Sequence, residues 1–458
     1  MLNVTPIDTP ELGDRSYVVD DGELAVVIDA QRDLERVLDI IAARHLTVTH
    51  VAETHMHNDY LTGGLALAKR LGATYVVNAD DPVAYERHGV GDGTEIKTGA
   101  LTVRIMATPG HTQTHLAYVI SDGAEQAVFT GGSLLYGATG RSDLLGKDLA
   151  EELTRAQYRS AHRLAAELDA TTAVYPTHGF GSFCAASQAS IVDSSTVGHE
   201  QQSNPALTAS DEETFVRATL AGLTPYPRYY SHMGYLNLSG PTPPDLSPPQ
   251  AVDAEELGRR LRRGEWVIDL RSRQAFAGSH LAGSSGMELG KDFSSYLGWV
   301  LPWGVSVTLV GDTEAEVAKA QRDLMRIGID RVNGGAVGGV EVIEAAGALA
   351  SYRVSDFAGL ADELQAGGHP VMLDVRHDHE WNAGHLRGSI HVPFQDIEAR
   401  VEEIPEGAEI WVYCKSGHRA SIAASFIEHS GRTPVLIDDM WDNAAAAGTV
   451  VTGLPASA

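Results

Sequence analysis

Over its first 240 residues the chain alternates short β-branched runs with turns and stretches of helical spacing. Runs at 25–29, 48–52, 73–77, 101–105 and 127–130 have the length and composition of strands. Apolar residues at helical spacing over 34–43 and 148–168 predict amphipathic helices. Polar residues gather where the strands end, and the mixture predicts a layered α/β architecture. A proline-rich stretch, 241–251, then reads as a semi-rigid linker.

Beyond the linker the chain repeats itself. Asp269-Leu270-Arg271 and His280-Leu281-Ala282-Gly283-Ser284 recur 105 residues later as Asp374-Val375-Arg376 and His385-Leu386-Arg387-Gly388-Ser389. Phe276 matches Trp381 at the same offset. Two α/β units are therefore expected, 252–351 and 352–458, after a first domain at 1–240. In the last unit a strand at 408–413 runs into Cys414-Lys415-Ser416-Gly417-His418-Arg419, and a helix is expected at 420–429. A helix N-terminus and loop N–H groups facing a sulfur favour thiolate, the nucleophilic form. Lys415, His418 and Arg419 are expected to add positive charge. The middle unit has no cysteine. Its matching loop, Leu309-Val310-Gly311-Asp312-Thr313-Glu314-Ala315-Glu316, is acidic, so it is expected to be catalytically inert.

Composition narrows the field. At 458 residues the chain exceeds a single core. A net charge of −27 disfavours nucleic acid and anionic membrane surfaces as partners. No apolar run approaches the ~18 residues of a membrane span, and residues 1–6 lack the features of a signal peptide. With only Cys184 and Cys414 present, no disulfide framework exists, which fits a reducing cytoplasm. A homo-oligomer is compatible with all of this.

Three histidine clusters follow predicted strands in the first domain: Thr54-His55-Met56-His57-Asn58-Asp59-Tyr60, Thr108-Pro109-Gly110-His111-Thr112 and Tyr175-Pro176-Thr177-His178-Gly179. Imidazoles at strand ends are how such a scaffold presents metal ligands. Cys184, in Gly181-Ser182-Phe183-Cys184, is expected near the mouth of that site as a candidate sulfur relay. The aromatic and polar segment 225–233 offers Arg228, Tyr230 and His232 as candidate contacts to a thiol carrier.

The Cys414 loop and the segments Asp374–Arg376, Glu380-Trp381 and 384–393 resemble the rhodanese sulfurtransferases. Their loop is one residue shorter than that of cysteine phosphatases, which suits one bound sulfur atom. The histidine clusters resemble the metallo-β-lactamase superfamily. Phe129-Thr130-Gly131 and Gly140-Arg141-Ser142-Asp143 look most like its persulfide dioxygenases. The whole chain thus resembles fused persulfide dioxygenase–sulfurtransferases. That resemblance implies an αββα sandwich followed by two rhodanese-like α/β domains, the first of them inactive.

In the persulfide dioxygenases two histidines and an aspartate hold one iron, and His55 and His111 match those histidines. Two departures stand out: Gly132 falls where the family has its aspartate, and Tyr60 where H-x-H-x-D-H has its last histidine. His57 is the candidate third ligand, and Asp59 with His178 are remnants of a second metal site. The implied chemistry is Fe(II)-dependent oxidation of a thiol persulfide, carried by glutathione, coenzyme A or a similar thiol, with O₂ to sulfite. Cys414 would carry sulfane sulfur in thiosulfate chemistry, with Arg419 steadying the anion. A zinc thioester hydrolase of glyoxalase type and a sulfur carrier with a silent first domain remain as alternatives.

Overall fold

The computed structural model describes residues 1–187, 192–448 and 450–452, so the terminal stretch 453–458 of the last expected domain lies outside the described residues. The chain forms two compact units, Met1–Asp245 with Met325–Gly328, and Leu246–Leu324 with Ile329–Ala458.

In the first unit, strands β1 (Asn3–Thr9), β2 (Asp14–Asp20), β3 (Leu24–Ile28), β4 (Thr47–Ala52), β5 (Thr74–Asn78) and β6 (His88–Val90) form one sheet in chain order. Strands β7 (Glu95–Thr98), β8 (Leu101–Ala107), β9 (Leu116–Ser121), β10 (Gln126–Gly131), β11 (Ala173–Pro176) and β12 (Ser195–Thr196) form the second. Alternation along the strands builds the layers. Tyr17, Val19, Val26 and Ile28 point at Ile105, Tyr118, Ile120 and Phe129 between the sheets. Their neighbours Val18 and Val27 face the other way, onto Leu38 and Ile41 of helix α1 (Glu35–Arg44). Val119 and Val128 pack outward onto Leu164 of α2 (Lys147–Glu167). The result is the expected αββα sandwich.

The expected run 25–29 ends one residue early as a strand. Asp29 leaves β3 in the left-handed region, with φ 53°. The three histidine clusters sit beyond the ends of β4, β8 and β11, at one rim of the sandwich.

The second unit contains two largely parallel sheets. Trp266–Asp269 lies between Ser285–Gly286 and Val307–Gly311, with Val332–Val337 beyond. Val371–Asp374 lies between Ile390–His391 and Glu409–Tyr413, with Thr433–Ile437 and Arg353–Ser355 beyond. The internal repeat is visible as matching local devices. Arg271 chelates Asp269 and donates to the Ser279 carbonyl (2.9 Å). Arg376 does the same with Asp374 and the Gly384 carbonyl (2.6 Å). His280 stacks on Phe276 at 3.9 Å, and His385 on Trp381 at 3.5 Å. In each pair the histidine Nδ1 donates to the aromatic residue's own carbonyl.

The helix after Cys414 spans His418–His429, two residues longer at its start than expected. Gly417, at φ 83°, ends the loop, and a Cβ there would lie 2.2 Å from Asp438. Only glycine fits that turn, so the helix can begin at once and takes His418 and Arg419 into its first turn.

Candidate metal centre and sulfur-transfer loop

His55, His57, Asp59, His111 and His178 are all buried at the rim of the sandwich, and the fold brings them together. Each of four imidazoles has one nitrogen tied to the protein. His111 Nδ1 donates to the Arg141 carbonyl (2.6 Å), and its ring lies between Gly132 and Gly140. His178 Nδ1 donates to Asp14 (2.9 Å) and lies 3.1 Å from Asp59. Thr54 spends its hydroxyl proton on Asp29, so His55 Nδ1 must donate to Thr54 Oγ1 (2.9 Å). His57 Nε2 lies 3.3 Å from both Asp29 and Glu53.

Two of the remaining nitrogens are left for another partner. His57 Nδ1 and His111 Nε2 are buried without any hydrogen bond among the described residues. His55 Nε2 and His178 Nε2 face each other at 3.3 Å. Donor atoms of His55, His57 and His178 lie within 4.8 Å of one another, as do those of His111, His178 and Cys184. Buried polar atoms without partners are costly, and histidines fixed through their far nitrogen are the usual arrangement around a metal. The cluster is competent to coordinate a metal ion, and its donors suit iron or zinc.

Electrostatics reinforce the arrangement. Burial opposes charge on His57, but Asp29 and Glu53 outweigh it and raise its pKa to about 9. Burial pushes His111 down to about 3. His178 is held well above its ordinary value by Asp59 and Asp14 against burial. Ligation through His57 or His178 would therefore displace a proton, and through His111 it would not.

Several participants were not singled out from the sequence. Asp14, Asp29 and Glu53 look like ordinary acidic residues at or beside strand ends. His115 is fully buried, accepts from the Gly132 N–H (2.9 Å) and bonds Thr108 Oγ1 (2.9 Å), so both its nitrogens are taken. Tyr60 turns its hydroxyl to His57 Nε2 (2.9 Å). Cys184 is wholly buried within the cluster, a correction to its expected place at the mouth. The three residues expected to contact a thiol carrier divide: Tyr230 is buried against Tyr226 at 5.6 Å, His232 is half-buried and Arg228 is exposed.

In the second unit Cys414 is buried at the end of the strand Glu409–Tyr413. The positive charge expected around it is smaller than the sequence suggests. Arg419 makes a two-pronged ion pair with Glu380 (2.5 and 2.8 Å). His418 packs edge-on against Tyr296 at 4.8 Å. Burial first, then Arg273 and Arg419, lower its pKa to about 4, so it is neutral at neutral pH. Lys415 remains as the exposed cation of the loop.

Sheet register identifies the counterpart of Cys414 in the other repeat. Asp374 pairs with Tyr413 and Asp269 with Val310, so Gly311 stands where Cys414 does. There the loop N–H groups of Asp312 and Thr313 donate to the carboxylate of Glu316 (2.7 and 3.0 Å). The chain's own carboxylate fills that cradle.

Two predictions follow. A Cβ at Gly132 would lie 2.3 Å from His111 Cδ2. Gly132→Asp should therefore displace His111 and lower both metal stoichiometry and melting temperature, measured by elemental analysis and calorimetry. Glu380 is burdened by burial, but Arg419 brings its pKa down to about 2 from 4.5. Its stabilisation is fully present above pH 4.5 and lost as pH falls toward 2. The melting-temperature gap between wild type and Glu380→Gln should be widest at neutral pH and close on acidification.

Comparison with known proteins agrees with this geometry. Residues 11–178 match the metallo-beta-lactamase superfamily, and residues 357–443 match the rhodanese-like domain. The persulfide dioxygenase ETHE1 of Homo sapiens is 29% identical over 242 residues, covering 51% of this chain and 81% of that protein. The Bos taurus ETHE1 is 31% identical over 206 residues, covering 43% and 73%. A crystal structure of a metallo-beta-lactamase from Staphylococcus aureus subsp. aureus COL superposes with a TM-score of 0.66 at 26% identity, covering 74% of this chain and 98% of that one. With the histidine cluster on one unit and the cysteine loop on the other, the chain belongs to the metallo-β-lactamase-fold family that includes the persulfide dioxygenase ETHE1, and it carries a rhodanese-like domain in the same polypeptide.

Proposed function

We propose that the chain is a cytoplasmic persulfide dioxygenase fused to a sulfurtransferase. The observation that carries this reading is the set of four buried imidazoles, each tied behind, with His57 Nδ1 and His111 Nε2 lacking a partner among the described residues and His55 Nε2 turned to His178 Nε2, in a chain that also holds the Cys414 loop. The middle repeat is read as an inactive rhodanese-like domain, because Glu316 occupies its anion cradle.

His55, His111 and His57 would hold Fe(II), with His178 and Asp59 alongside. Bound iron would supply open positions where persulfide sulfur and O₂ meet. The protein's own work is orientation and exclusion of water. Asp29 and Glu53 keep a proton on His57 Nε2, and the Arg141 carbonyl keeps one on His111 Nδ1. Overall, one persulfide of glutathione, coenzyme A or a similar thiol, one O₂ and one water give one thiol, one sulfite and two protons.

In the second unit the Cys414 thiolate attacks the outer sulfur of thiosulfate. The sulfur–sulfur bond breaks, sulfite leaves, and Cys414 holds the persulfide until an acceptor thiolate takes the sulfur and restores the Cys414 thiolate. Loop N–H groups and the start of the helix His418–His429, which follows the Cys414 loop directly, would stabilise the developing anion. Arg419, tied to Glu380, acts by holding the loop in place rather than as a free anion partner. The thioester hydrolase reading would need a second metal, and Tyr60, engaged with His57, replaces one of its ligands.

The test is O₂ uptake by iron-reconstituted Cys414→Ser protein given glutathione persulfide, with sulfite assayed alongside. Stoichiometric sulfite is expected, together with a loss of thiosulfate:thiol sulfur transfer of about a thousandfold or more. No uptake with either glutathione or coenzyme A persulfide would refute the oxygenase reading. Retained transfer would refute the role of Cys414.

A further inference from the structure

The histidine cluster lacks the anionic ligand that the family places at position 132. Gly132 packs against the His111 ring so closely that no side chain fits there. A different anion source lies inside the same cluster. Cys184 Sγ and donor nitrogens of His111 and His178 are within 4.8 Å of one another. Cys184 is completely buried, and His111 Nε2, also fully buried, has no hydrogen-bond partner among the described residues.

The backbone ties these two residues together. The Arg141 N–H donates to the Cys184 carbonyl (2.7 Å), while the Arg141 carbonyl takes the proton of His111 Nδ1 (2.6 Å). A bridge between Gly140 and Ala185 extends the pairing. The Cys184 N–H donates to Ser182 Oγ (3.1 Å). One peptide segment, 140–141, therefore sets both the thiol and the imidazole. Such double fixing is what a preorganised ligand pair needs.

We propose that Cys184 is the anionic ligand of this metal centre, its thiolate joining His111 in place of the missing aspartate and drawing His178, otherwise alongside, into the ligand set. The proposal rests on reading the cluster as a metal site. On ligation the Cys184 S–H bond gives its proton to solvent and a metal–sulfur bond forms, with no change of oxidation state. The thiolate supplies the negative charge that Gly132 cannot. As a soft donor it favours iron or zinc over magnesium or calcium. A permanently ligated sulfur would not serve as the mobile sulfur relay expected from the sequence.

The chain has two cysteines, so in full-length Cys414→Ser protein Cys184 is the only thiol. That protein is loaded with Co(II) and read by absorption. The expected result is a near-ultraviolet thiolate-to-cobalt charge-transfer band titrating to one metal per chain, alongside visible d–d bands. In Cys184→Ser/Cys414→Ser protein the band should vanish, and cobalt affinity should fall at least about tenfold. Cobalt bound with d–d bands but no charge-transfer band in the Cys414→Ser protein would overturn the proposal and leave the metal site standing. No cobalt binding at all would overturn the proposal and the metal reading together. The first protein decides the matter even if the double variant fails to fold.

Discussion

A single buried carboxylate, Asp29, holds the rim of the sandwich in register. Its chain leaves β3 in a left-handed turn that non-glycine residues rarely adopt. One oxygen takes the Thr54 N–H (2.7 Å), and the other takes the hydroxyls of Thr54 and Thr177. His57 Nε2 closes the shell. Burying a charge is expensive unless donors surround it, and here they come from the loops beyond β4 and β11. Those same loops carry His55, His57 and His178. The energy that makes the carboxylate tolerable is thus the force that aligns the histidines.

Around this anchor the cluster is built by exclusion as much as by attraction. Gly132 and Gly140 leave room for His111 to stand edge to the site, and His115 fills the space behind without offering a free nitrogen. The closeness that orients His111 also forbids the family's aspartate. Ligand identity and ring packing compete for one small volume, and in this chain packing has prevailed.

Much of this was readable beforehand, and the failures have physical causes. The strand runs, the clusters at His55, His111 and His178 and the Cys414 loop show because short-range spacing encodes them. Asp14, Asp29 and Glu53 do not show, because an acidic residue at a strand end is indistinguishable from a turn residue until another strand arrives. The basic character read at the Cys414 loop was overstated for the same reason. Glu380 lies 39 positions from Arg419, and the burial that keeps His418 neutral comes from packing against Tyr296, which belongs to the other repeat. The Gly417 turn could have been weighed from sequence alone, since glycine ahead of a helix is a local signal.

The Glu316 contact makes a nucleophile in the middle unit a two-change problem. Placing a nucleophile in the middle unit would require a cysteine at Gly311, where a new side chain would press on Val317 and Glu316 at 3.3–3.4 Å. It would also require the loss of the Glu316 carboxylate that the N–H groups of Asp312 and Thr313 now hold. Either change alone yields crowding or an unfilled cradle, with no chemistry to reward it. The loop therefore resists gaining a sulfur site one substitution at a time.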